Sequence, residues 1–203
     1  GKMELLNNNP AGYFMSAMVA GAFITLGGFV TFTLGSILTA AGCTITKVIM
    51  AFSFASALSL VVMAGAELFT GNNFVMAAAS FKKEVSWLDT LKLWVVCYLG
   101  NFVGAVILVA LFQLGGVPKG ATGEYFATIA AGKMGGTASA LFFKGMLCNM
   151  LVCLAVWCCT KMKTESGKLI MIFWCIYIFM ACGFEHSIAN MYFIPAGIAA
   201  AAD

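Results

Sequence analysis

Two stretches decide the reading of this sequence: GAELFTGN at residues 65–72 and GFEHSIAN at residues 183–190. Both follow Gly-x-Glu-x-x-x-x-Asn, so Gly65, Glu67 and Asn72 recur as Gly183, Glu185 and Asn190 at a constant offset of 118 residues. Each lies mid-way along a 34-residue apolar run, Val48–Phe81 and Leu169–Ala202. A straight helix of that length is about 50 Å long, against a hydrocarbon core of about 30 Å. Each run must therefore tilt strongly, break or re-enter. Broken helices at corresponding positions mark a membrane pathway built from two halves, and glycine permits the backbone conformations that a break requires. Glu67 and Glu185 are then expected to accept from backbone N–H groups freed by the breaks, with Asn72 and Asn190 in the same scaffold. The competing reading is a pair of long tilted helices with polar residues at subunit contacts.

Composition agrees with a membrane setting. Hydrophobic residues make up 62% of the 203 and charged ones only 9%, at a mean hydropathy of +0.99. A soluble domain of this size could not hide that much apolar surface. Three further runs are long enough to span, Ala11–Ser36, Leu93–Gly116 and Thr137–Thr160. The fold class is thus an all-α polytopic membrane protein, one transmembrane channel domain over residues 1–203. Its first repeat covers about 10–116 and its second about 137–203. Five spans are visible, which leaves the second half one span short.

All eleven basic residues are lysines. Lys82, Lys83 and Lys92 follow the second run, and Lys161, Lys163 and Lys168 follow the fourth; the opposite connections hold Lys47, Lys119 and Lys133. The richer side is read as cytoplasmic, with the N-terminus near Lys2 on that side of the cell membrane. No basic cluster with interleaved aromatics suggests nucleic acid. The eight cysteines form no CxxC pair and lie mostly in apolar runs, so neither a metal nor a cofactor is expected.

His186 is the only histidine, and an ionisable residue inside a membrane segment is a functional-site hypothesis by default. Imidazole changes charge near neutral pH and donates from either nitrogen when protonated. A small anion in a low-dielectric pore must be paired or neutralised. A histidine at mid-depth offers both, by pairing with the anion or by giving it a proton.

GAELFTGN, CNMLVCLAVW (residues 148–157) and GFEHSIANMYFIP (residues 183–195) resemble the formate/nitrite transporter family of anion channels. The resemblance implies six spans in an aquaporin-like inverted repeat, a homopentamer with one pore per subunit, and small inorganic or carboxylate anions as partners within the lipid bilayer. It implies a substrate pathway past His186, with Thr70 donating to the substrate, Asn149 beside the histidine and Lys133 in the outer vestibule. Phe54, Leu58, Phe69 and Phe179 correspond to apolar pore constrictions. The family often has a lysine at the cytoplasmic end of the first span; here Gly12 stands there, which removes the expected cytoplasmic attraction for anions. Lys144 lies five residues before Asn149, about 140° around a helix, so only Asn149 is assigned to the pore. Lysine-only usage and abundant cysteine tilt the substrate toward the hydrosulfide branch. An aquaporin-like neutral-solute channel is the alternative, although its doubled Asn-Pro-Ala signature is absent. A membrane redox enzyme would need more than one imidazole or a cluster spacing.

Overall fold

The computed structural model describes residues 1–202, whose regular structure is helical with no strand among them. The helices are α1 (Lys2–Asn8), α2 (Pro10–Ala40), α3 (Thr46–Met63), α4 (Phe69–Phe81), α5 (Trp87–Leu114), α6 (Ala121–Met134), α7 (Ala138–Lys161), α8 (Glu165–Ala181) and α9 (Ser187–Ala202). Side-chain caps set several of the starts: Asn9 Oδ1 accepts from Gly12 N (2.9 Å) with Pro10 at the first helical position, and Ser86 Oγ accepts from Asp89 N (3.1 Å). Four helices, α2, α3, α5 and α7, are long and apolar enough to cross a bilayer. The protein is a multi-pass membrane protein.

Both 34-residue runs break, and they break in the same way. α3 ends in a Schellman motif: Gly65 has φ +67°, Gly65 N donates to Val62 O (3.2 Å) and Ala66 N to Val61 O (2.9 Å). α8 ends likewise, with Gly183 at φ +71°, Gly183 N to Met180 O (3.2 Å) and Phe184 N to Phe179 O (2.9 Å). A few extended residues follow before α4 and α9 begin, so each run becomes two helices rather than one tilted rod.

α2 packs against both α5 and α3, and α3 packs against α8. Approach of α2 and α5 is backbone to backbone. A Cβ added at Gly104 would collide with the Met18 carbonyl oxygen, and one at Gly21 with that of Asn101. Small residues permit such contact where the hydrophobic effect cannot drive helices together.

The connection between α5 and α7 holds a helix that the apolar runs do not reveal. α6 has Glu124 in its first turn and Lys133 in its last, complementing the helix dipole. Phe126 and Ala130, four residues apart, are buried on the face that meets α9, where Gly197 lies against Ala130. This packing carries Lys133 toward the second break.

Candidate functional site: the meeting of two half-helices

α4 and α9 start near one another. Thr70, the second residue of α4, has its Oγ1 3.4 Å from Nε2 of His186, the residue just before α9. His186 Nδ1 accepts the Ala189 N–H (3.1 Å) and its carbonyl accepts Asn190 N (2.9 Å), so the ring caps the helix that follows it. With Nδ1 committed as an acceptor, the neutral ring carries its proton on Nε2, the atom facing Thr70. The two positive helix ends therefore converge on one Thr–His contact, a setting that favours negative charge. Thr70 is 3% exposed and His186 is 5% exposed.

The carboxylates serve a different role from the one expected. Glu67 accepts Lys2 Nζ through both oxygens (2.7 Å each) and Asn72 Nδ2 (2.8 Å). Glu185 accepts Lys133 Nζ (2.8 Å) and Asn190 Nδ2 (3.1 Å). Among the described residues neither takes a backbone N–H. A largely buried carboxylate gains more from an ammonium than from a neutral amide, and the backbone donors of the first break are met elsewhere. Glu67 N reaches Ser16 O (3.4 Å), and Phe69 N donates to Asn101 Oδ1 (2.9 Å). Asn101, fully buried in α5, also donates to Ala17 O (2.7 Å) and Glu67 O (2.9 Å). It pins the break to two spans.

Two matching triads thus flank the Thr–His contact, Lys2–Glu67–Asn72 and Lys133–Glu185–Asn190. Gly12 packs under the Asn9 cap, and the cation beside the first break comes from α1 through Lys2. Lys133 Nζ also lies 5.1 Å over the Phe193 ring.

Each break borders a cavity. One of about 190 Å³ holds Lys2, Leu58, Leu68, Asn72 and Val156 in its wall; the other, of about 160 Å³, holds Lys133, Phe179, Glu185, His186 and Phe193. Phe54 and Phe179 are both buried, edge to face at 6.1 Å, and Phe179 lies 5.7 Å from the His186 ring. Phe69 does not join Leu58. Its ring meets Tyr98 edge-on at 5.1 Å, and it is the neighbouring Leu68 that lines the cavity with Leu58. Leu68 has extended backbone (φ −101°, ψ 126°), so consecutive side chains point to opposite sides. Leu68 is also the residue 118 before His186, so the two breaks carry an apolar group and an imidazole at equivalent stations.

A third cavity, about 330 Å³, brings Thr70 and His186 together with Asn149 and with Asn73, which no sequence motif singles out. Lys144 is exposed on another face of α7. Lys2, Asn101 and Leu68 likewise join the site only through the fold. Leu68 alone carries a signal in the sequence, its offset from His186; the spacing from Lys2 to Glu67 is 65 residues against 52 from Lys133 to Glu185.

Known proteins are similar to this chain in sequence and in fold. The family model described as Formate/nitrite transporter matches residues 2–203. The nitrite transporter NirC of Escherichia coli K12 is 40% identical over 196 residues, covering 93% of this chain and 69% of the relative. The formate channel FocA of Haemophilus influenzae is 36% identical over 196 residues, covering 95% and 68%. Among solved structures, an "FNT family ion channel" superposes with a TM-score of 0.88 at 36% identity, covering 95% of this chain and 76% of the other. A "pentameric formate channel with formate bound" superposes at 0.81 and 31% identity, covering 92% and 74%. With a family match over residues 2–203 and relatives and solved structures this similar, the chain belongs to the formate/nitrite transporter family.

Proposed function

We propose that this chain forms the subunit of a homopentameric channel in the cell membrane. It passes formate, nitrite and related small monovalent anions together with a proton, past His186. The contact of Thr70 with His186 at two helix N-termini is the observation that carries this reading. Positive helix ends and an Nε2–H draw an anion in, while the buried Phe54, Phe179 and Leu58 make its unpaired passage costly by several kcal/mol. An anion that leaves with a proton crosses those rings as a neutral acid. The Nε2–H of His186 hydrogen-bonds the anion at the one polar station between them, while the proton that leaves with the anion is drawn from the aqueous side and not from the neutral ring. Lys2 and Lys133, each paired with a carboxylate, brace the two breaks.

Two antiparallel halves, about 10–116 and from about 137 onward, fit the paired breaks. The lysine-rich connections after α4 and α7 support a cytoplasmic N-terminus. The pentamer is supported by the solved formate channel. Nitrite and formate take first place as substrates because they are what the similar relatives are named for; hydrosulfide, favoured by composition alone, comes third. Proteoliposome flux of nitrite, formate, hydrosulfide and lactate at one proton gradient tests the order. Saturable nitrite and formate flux is expected, and flux of none of the four would contradict the reading.

A further inference from the structure

Asn73 sits one helical turn after Thr70, on the same side of α4. Its Nδ2 donates to Asn149 Oδ1 (3.3 Å), which joins α4 to α7. Its own Oδ1 is buried and has no partner among the described residues. Buried polar atoms are nearly always paired, so an orphan in a cavity wall calls for a group that completes it. That wall also holds Thr70, Asn149 and His186, which places the amide beside the Thr–His contact.

We infer that Asn73 is a specificity-determining residue of the pore, its carbonyl accepting a hydrogen bond from the proton that a neutral weak acid carries. The inference rests on the proton-linked reading above. With Nδ2 turned to Asn149, the unpartnered atom facing the cavity is Oδ1, which can only accept. A bare anion has no hydrogen to offer it and meets a negative dipole there. A protonated oxyacid presents an O–H and completes it. Hydrogen sulfide presents only a weak S–H donor and gains less. Asn73 thus favours the protonated species over the anion, and O–H acids over S–H acids, at a station set by its pairing with Asn149.

The test is formate and hydrosulfide flux through the full-length channel in proteoliposomes. Wild type is compared with Asn73→Val, Asn73→Thr and His186→Asn. In Asn73→Val the ratio of formate to hydrosulfide flux falls about tenfold, the size of one lost hydrogen bond, and Asn73→Thr, which keeps an acceptor, restores most of it. A purely structural role for Asn73 lowers both fluxes together and leaves the ratio within about twofold, which overturns the assignment. Should Asn73→Val fail to assemble, Asn73→Ala carries the same expectation. If the ratio stays flat while His186→Asn abolishes the pH dependence of formate flux, Asn73 alone is misassigned. If His186→Asn leaves that pH dependence intact, the proton-linked reading fails and this assignment falls with it.

Discussion

Thr70 Oγ1 lies 3.4 Å from His186 Nε2 although 116 residues separate them. The contact joins the start of α4 to the cap of α9, so one hydroxyl and one imidazole hold the two broken helices at a common point. Replacing Thr70 by Val keeps the shape and removes the acceptor that faces Nε2–H. Anion flux is expected to fall about tenfold, the scale of one hydrogen bond, with Thr70→Ser retaining most of it. Stopped-flow flux in proteoliposomes distinguishes the two; equal loss in both variants would show that the hydroxyl is not what matters.

Gly65 and Gly183 have open space around them but left-handed backbone, so alanine there is strained without clashing. Each Gly→Ala change is expected to cost about 1–2 kcal/mol, seen as a lower thermal midpoint of the solubilised protein. Gly132, inside α6 with nothing near its Cβ position, is the control. Gly132→Ala should leave the midpoint unchanged or raise it slightly. Similar behaviour at all three sites would argue against the Schellman breaks.

Gly104 tests a different cost. Its missing Cβ is what lets α5 meet the Met18 carbonyl of α2, and backbone on both sides cannot yield as a flexible side chain can. Gly104→Ala is expected to abolish assembly, read as loss of the monodisperse peak in size-exclusion chromatography. Normal recovery would mean that α2 and α5 are not in backbone contact.

Lys133 and Glu185 form a mostly buried pair, with side chains 18% and 14% exposed. Removing one charge strands the other, so Lys133→Ala is expected to destabilise by about 1–3 kcal/mol. Adding Glu185→Gln should recover part of the loss, because the neutral amide can still accept from Asn190. Thermal midpoints of the single and double variants give the coupling; simple additivity would show that the pair contributes nothing.

The breaks are legible in the sequence because Gly, Glu and Asn recur at one offset in the only two over-long runs. His186 is legible because charge is rare in such runs. What supports them is not. Lys2 acts across 65 residues from a short helix that no apolar run announces, and Asn101 looks like an isolated amide in a hydrophobic span. Their roles depend on which backbone groups the breaks leave open, and those are fixed by tertiary packing. The partners of the carboxylates are hidden for the same reason: the motif shows an acceptor but not which donor reaches it. That Leu68 and not Phe69 faces the cavity beside Leu58 is hidden as well, because a motif fixes order along the chain while the extended backbone at Leu68 decides which neighbour turns that way.

The central claim is that His186 provides the donor through which anion and proton move together. Its direct test is the pH dependence of formate or nitrite flux in proteoliposomes, wild type against His186→Asn. The amide keeps polarity and a helix-capping acceptor but cannot exchange a proton near neutral pH. Wild-type flux should rise steeply as pH falls, whereas His186→Asn should show low flux with a flat profile. A variant that keeps both the rate and the slope of the wild type would contradict the account.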